Sequence, residues 1–404
     1  MGLSHIFRTI VSRNLISSVT IVTNAISFLA VSYVLGVSSY GIVVWILSYS
    51  MFIAQISSLS ITMSLPHYYH SNSDGIPRTL VSGATIYSFL ASIFFGWIAL
   101  LFYNEAWEVG SGIFLITIMA GIFQVATYRI LMAIALVDGS LKMYFISVFV
   151  VSTMPSWPSA LYCYIFHSDL HNYLVVRSVL YLLSAILSLA FILKFTKGKW
   201  SYKLPVHILK NILSLGFKNI LPAMSQTIFK INISSYLGME ALGIYGFYSR
   251  MISAIFLAID QPIYFKVVSM LTSSKTAKRK IFSVIILSQV SMALALTLFL
   301  PYLVEKLFTK YSLDHGSYLI IFAISFTAIV ISLLKIILLF FQKIEKPLFL
   351  IRSAIYGFFA DVAIPLLGLI YWGLLGGVLG LAVTTFLNFM IIYLYLMYRK
   401  REIH

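Results

Sequence analysis

Apolar runs of about twenty residues, separated by short polar or Pro- and Gly-containing breaks, recur from one end of the chain to the other. Twelve such runs are readable, at 15–35, 42–65, 80–103, 111–137, 143–165, 174–194, 212–236, 243–265, 281–303, 317–341, 347–370 and 378–398. Each is long enough to cross the ~30 Å hydrocarbon core of a bilayer. Backbone donors and acceptors in lipid must be satisfied within their own segment, so the runs are expected to be α-helices. The alternation of an outer-membrane strand is absent. The expected fold class is an all-α polytopic membrane protein of about twelve helices.

Composition agrees. Of 404 residues, 60% are hydrophobic and 10% charged, against roughly 25% charged in a soluble domain. Too little polar surface is left to cover a water-soluble globule. Leu15 onward reads as a retained first span, since no cleavage site follows a short apolar core. The single cysteine, Cys163, excludes an intrachain disulfide and a thiolate metal site.

Charge placement orients the spans. With the N-terminus on the cytoplasmic side, the loops and ends on that side collect most of the 28 Lys and Arg. Among them are Arg8, Arg13, Arg78, Lys142, Lys194, Lys197, Lys199, Lys203 and Lys210, then Lys275, Lys278, Arg279 and Lys280. The opposite loops hold Lys306 and Lys310 beside Glu105, Glu108, Asp169, Glu240, Glu305 and Asp314. This follows the positive-inside rule with both termini cytoplasmic. The +16 net charge is then largely topogenic, its partner anionic lipid and not nucleic acid.

An internal repeat is visible. Leu35-Gly36-x4-Gly41-Ile42 recurs as Leu237-Gly238-x4-Gly243-Ile244. Either this is a common glycine-loop coincidence or each copy turns the first span of its half into the second. Its agreement with the span register and with a central basic stretch favours the second reading. The chain is therefore divided into a first lobe at 1–198 (spans one to six), a cytoplasmic linker at 199–211, and a second lobe at 212–404 (spans seven to twelve). Six spans per lobe make this a parallel repeat about an axis along the membrane normal.

Seven cations fall inside the spans: Arg129, Arg177, Lys218, Lys230, Arg250, Lys335 and Arg352. Only Asp260 and Asp361 join them. A cation at a helix centre costs ~2.5–3.5 kcal/mol on insertion scales, so such residues usually face a cavity. Two acids cannot neutralise seven cations, and a water-filled electropositive cavity for an anionic ligand, a diphosphate or acidic sugar, is the simplest account. Arg177 is near its span's outer end and is expected to snorkel; Lys218 and Arg352, near the inner end, snorkel or line the cavity. Arg129, Lys230, Arg250 and Lys335 are the main cavity candidates. Pro222, Gln226, Lys230 and Ser234, spaced by four, form one stripe, either a kinked moving gate or a polar packing face. Asp260 and Asp361 either carry a coupling ion or neutralise a neighbouring cation. Tyr33, Tyr49, Tyr128, Tyr236, Tyr245 and Tyr248 are placed where rings could stack on sugars.

No enzyme constellation stands out. All eight His fall at termini or loops, and His67-x-x-His70 lacks further metal ligands. There is no Walker loop for ATP. A membrane polysaccharide polymerase is the serious enzyme rival, but it usually carries a long outward loop, and here the longest is about 304–316. A small-molecule antiporter for cationic substrates would want cavity acids.

The sequence resembles the Wzx-type O-antigen flippases, in the polysaccharide-transport branch of the multidrug/oligosaccharidyl-lipid/polysaccharide (MOP) exporter superfamily. The features that carry the resemblance are Arg13-Asn14-Leu15, the turn Tyr33-Val34-Leu35-Gly36-x3-Tyr40-Gly41, its echo Leu237-Gly238-x4-Gly243-Ile244-Tyr245, and the basic linker. The resemblance implies a V-shaped pair of six-helix lobes with a cationic cavity, in the bacterial inner membrane. It implies transfer of an undecaprenyl-diphosphate-linked oligosaccharide from the cytoplasmic to the periplasmic leaflet by alternating access, without catalytic residue, metal or cofactor. An H+ or Na+ counter-ion, and polymerase and chain-length proteins as partners, are implied in the same way.

Overall fold

The computed structural model describes residues 3–58, 78–107, 109–138, 141–196, 206–269, 275–311, 317–340 and 347–403. Side chains are described for all of these except 3–14, 78–80, 138, 206–219, 258–269, 275–285, 317, 335–340, 347–352 and 399–403. Eleven helices make up the described chain: α1 (Leu3–Val34), α2 (Val37–Ser57), α3 (Arg78–Ala99), α4 (Ser111–Asp138), α5 (Leu141–Phe145), α6 (Trp157–Phe166), α7 (Leu170–Phe195), α8 (Val206–Ser269), α9 (Lys275–Leu307), α10 (Ser317–Phe340) and α11 (Pro347–Ile403). The architecture is all-α and polytopic.

The long helices are not single rods. Within α8, Gly238 leaves helical geometry at φ 88°, ψ 173°. Within α11, Trp372 and Gly373 do the same. Each break falls between two expected spans, so α8 covers spans seven and eight and α11 covers eleven and twelve. Span five is broken as its prolines suggest. A π-helical segment, Ile146–Val151, follows α5, and turn residues around Pro155 precede α6. Pro155 has no N–H to give and crowds the carbonyl four residues back. Pro222, by contrast, lies in continuous helix; no kink stands there.

By length and apolarity, seven described helical segments qualify to cross a membrane, against the twelve runs expected. One of the seven, Ser353–Tyr398, holds two expected spans in one. Two shorter apolar stretches, Leu141–Val151 and Tyr318–Leu334, lie in spans five and ten. Spans seven and eight carry Lys218, Lys230 and Arg250, which count against apolarity.

Packing centres on α8, which touches α1, α2, α10 and α11, its most extensive partner being α2. Much of the first half is built separately, with α4 packed along α7 and α3. A single buried apolar cluster joins Phe28, Trp45 and Tyr49 of the first half to Phe229, Phe247 and Tyr248 of the second.

The two glycine turns differ in what they ask of the backbone. Gly36 caps α2 with φ −63° and ψ 164°, open to any residue, and nothing lies within 4 Å of an added Cβ. Gly238 occupies a region that only glycine enters cheaply. Gly238→Ala is therefore expected to lower stability by roughly 1–3 kcal/mol, and Gly36→Ala to be nearly neutral. Thermal unfolding of the purified variants in detergent checks this; equal shifts would contradict it.

Candidate functional site

One face of α2 sets the site. Gly41, Val44, Ser48 and Gln55 recur at helical spacing, and each meets a residue from another element. A Cβ on Gly41 would lie 2.0 Å from the Met239 carbonyl oxygen. A Cβ on Gly246 would meet the Val44 side chain. The Lys230 ammonium donates to Ser48 Oγ at 3.0 Å, and Arg129 reaches Gln55 Oε1 at 3.4 Å. Gly41 and Gly246 let the backbones close to a distance that side chains forbid; below them the gap widens enough to hold cations.

These contacts are reciprocal. A Cβ on Gly243 would lie 2.1 Å from the Val37 carbonyl oxygen. Val37 and Met239 are 202 residues apart, as are Gly41 and Gly243. The same shift takes Phe28 to Lys230 and Ser48 to Arg250. Accordingly the Lys230–Ser48 hydrogen bond has a counterpart, Arg250 against the Phe28 ring, with Cζ 4.1 Å from the centroid. Val44 and Gly246, also one shift apart, touch each other. A seam in which i meets j and the equivalent of j meets the equivalent of i is the mark of a twofold relation.

Arg250 shares Phe28 with Arg177, whose Cζ is 5.4 Å from the same centroid. Arg177 is 3% exposed, so the expectation that it snorkels is overturned. It is enclosed because Tyr173 and Tyr181, one turn either side on α7, accept its N–H groups; Nε to Tyr181 is 2.8 Å, and Nη1 bonds the Tyr173 hydroxyl. Hydrogen bonds to a charged group contribute about 1.5–3 kcal/mol each, enough to offset much of the burial. Arg250 has the ring contact, worth about 0.5–2 kcal/mol, and makes no hydrogen bond among the described residues. Its donors are the ones left for a ligand. Among the described residues, no carboxylate figures among the charged neighbours of Arg129, Arg177, Lys230 or Arg250.

Pro222 and Gln226 are exposed and Lys230 is half-buried. The stripe on α8 thus opens away from the glycine turns and closes toward them. Asp361 of α11 lies near Ser225 and Thr384, and its Oδ1 has no hydrogen-bond partner among the described residues. The side chains of Lys218, Lys335, Arg352 and Asp260 lie outside the described residues, as does the His67–His70 loop. Of the tyrosines expected to meet sugar, Tyr49, Tyr245 and Tyr248 are buried in packing, while Tyr33 and Tyr236 are exposed. Reading residues one by one missed Phe28, Ser48, Tyr173 and Tyr181. The 202-residue shift, carried from the turns into the helices, pairs Lys230 with Phe28 and Arg250 with Ser48.

No protein-family model matches the sequence, and no curated protein matches it either. Solved structures do. An inward-facing multidrug-resistance MATE family transporter of the MOP superfamily superposes with TM-score 0.67 at 14% identity, over 96% of this chain and 98% of that one. The chain has the MATE fold. A Vibrio cholerae MATE transporter, VcmN, in mutant form gives TM-score 0.64 at 11% identity, covering 99% and 98%. An outward-facing MATE family transporter gives 0.61 at 13%, covering 97% and 95%. At the seam of this fold, Lys230 meets Ser48 and Arg250 meets the Phe28 ring.

Proposed function

We propose that this protein is a two-lobed flippase that moves a lipid-linked, anionic glycan, of the undecaprenyl-diphosphate class, between the leaflets of the bacterial inner membrane. The observation that carries the reading is Arg250, half-buried beside Arg177 and Lys230, with no hydrogen bond and no carboxylate neighbour among the described residues. A diphosphate or acidic sugar supplies the missing charge, and Arg binds phosphate bidentately. Arg129 extends the route toward the open end, and Lys218, Lys335 and Arg352 belong to it by their spans. Asp361, with Asp260, is the place for a coupling proton or sodium ion.

In this reading the lobes are 1–198 and 212–404, both termini are cytoplasmic, and the closed glycine-turn end faces the periplasm. The chain is then open inward, in keeping with its higher TM-score to the inward-facing transporter than to the outward-facing one. Alternating access follows by rocking the lobes about the seam. A cationic-drug antiporter is the rival the fold suggests, but it would need acids where the seam has arginine and lysine. Deletion of the gene followed by a leaflet-specific assay of the lipid-linked repeat decides. Build-up on the cytoplasmic face is expected. Single repeats capped on surface lipid would instead mark a polymerase, and an unchanged distribution would end the glycan reading.

A further inference from the structure

Two cavities flank the seam at its glycine-turn end. One, about 310 Å³, is lined by Ser32, Tyr33, His167, Phe308, Lys310 and Tyr311 among others. The other, about 300 Å³, is lined by Trp45, Phe102, Asn104, Trp107, Ser234 and Ser235 among others. They are built from equivalent positions. Ser32 corresponds to Ser234 and Trp45 to Phe247 by the 202-residue shift. Phe102 and Trp107 lie in the connection between α3 and α4, and Phe308 and Tyr311 in that between α9 and α10.

The two aromatic triads are used differently. In the second half, Phe247 and Tyr311 stack at 4.4 Å between centroids and are 1% and 0% exposed. Tyr311 also donates to the Ser32 carbonyl at 3.0 Å, so its loop is fastened to α1. In the first half the rings stand apart, Trp45 to Trp107 at 5.8 Å and Trp45 to Phe102 at 6.0 Å. Phe102 is 44% exposed and Trp107 half-buried. Trp45 stacks instead on Tyr49, at 5.2 Å, and each half keeps a cavity of similar size beside its rings.

The cavity beside Trp107 also offers hydrogen bonds. Asn104 Oδ1 accepts from the Ala106 N–H at 3.0 Å, which leaves the amide N–H groups to donate. Ser234 Oγ donates to the Ile231 carbonyl at 2.8 Å, which leaves its lone pairs to accept. Ser235 is exposed, and neither indole N–H makes a hydrogen bond among the described residues. Among the described residues, no charged side chain lines the space. Flat apolar rings on one wall and neutral donors and acceptors on the other fit a neutral ring with C–H faces and hydroxyl edges. Its volume is at the small end of the ~300–1,000 Å³ range of ligand pockets.

We propose that this cavity is a saccharide subsite, taking a neutral pyranose ring against Trp107 and Phe102 with its hydroxyls on Asn104, Ser234 and Ser235. Ser234 is one helical turn beyond Lys230 on the same stripe of α8, so the subsite continues the cationic route toward the closed end. Its place in transport rests on the flippase reading; its binding chemistry does not.

The test is saturation-transfer NMR on the purified protein in detergent with free D-glucose, D-galactose, N-acetyl-D-glucosamine and L-rhamnose. At least one sugar is expected to receive saturation on its ring protons, reduced at least about threefold in Trp107→Ala by loss of the stacking face. Ser235→Trp fills the cavity from an exposed position without removing a core ring, and is expected to abolish the signal as well. No transfer to any of the four sugars, or transfer unchanged in both variants, overturns the subsite. A chain that moves lipid-linked glycan yet shows no transfer loses the subsite alone. One that shows transfer lost in both variants, without moving the glycan, keeps it.

Discussion

Gly41→Val is expected to part the two glycine turns while leaving the helices folded. The atom that meets the new side chain is the Met239 carbonyl oxygen, at 2.0 Å, where ordinary contact begins near 3.4 Å. A backbone atom inside a helix cannot swing aside as a side chain can, so the whole helix pair must retreat. Overpacking of this kind costs roughly 1–3 kcal/mol if the contact is kept. That is comparable to the few kcal/mol that separate two conformations of a protein built to change between them, so the contact is expected to open instead. Gly243→Val should behave alike, because it meets the Val37 carbonyl oxygen at 2.1 Å. Ser38→Cys with Glu240→Cys places spin labels at exposed, equivalent positions beside the two turns, and Cys163 is buried. The label distance should lengthen in either valine variant, and transport should fall because the closed state is lost. An unchanged distance with a lowered melting temperature would reduce the contact to static packing.

On the proposed flippase reading, Arg250→Ala is expected to cut transport of the lipid-linked glycan about 10- to 150-fold, the equivalent of one hydrogen bond of ~1.5–3 kcal/mol to a charged group. Folding should not suffer, since the change removes a cation that stands close to two others. Arg250→Lys keeps the charge but loses the planar fork, and should recover part of the activity. Arg177→Leu should act the other way. Two tyrosine hydroxyls lose the group they hold, and the melting temperature is expected to drop. Transport measured by appearance of the repeat in the outer leaflet, alongside thermal unfolding, separates the two arginines. Normal transport with a lowered melting temperature in Arg250→Ala would remove it from the ligand route.

Much of the architecture was legible because it rests on local rules. Apolar run length led to helices that the structure contains. Among the described residues, seven segments meet a strict criterion of length and apolarity, and one of them holds two expected spans. The site was legible only as a set of unpaired cations. Which of them is satisfied depends on neighbours far away in sequence. Arg177 seemed bound for the interface from its distance to the span end, yet tyrosines at Tyr173 and Tyr181 enclose it. Those residues were visible one turn away on either side, but two tyrosines among 26 carry no signal without the burial. Lys230 and Arg250 were recognised; that they answer Ser48 and Phe28 needed the repeat to be followed into the helices. Pro222 was a reasonable hinge by its chemistry, but the break fell at Gly238, where the left-handed backbone is.

The reciprocal seam also decides which partners the two halves of the chain can accept. A second copy of the first half, laid across it in the same register, would set Phe28 against Ser48, two neutral side chains. A second copy of the second half would set Lys230 against Arg250 at both crossings, charge against like charge in a medium that screens little. Only the pairing of unlike halves gives each cation a neutral surface to lie on, the Ser48 hydroxyl for Lys230 and the Phe28 ring for Arg250. The charge that distinguishes one half from the other therefore weighs against the second half pairing with itself in this register, and favours the pairing of unlike halves.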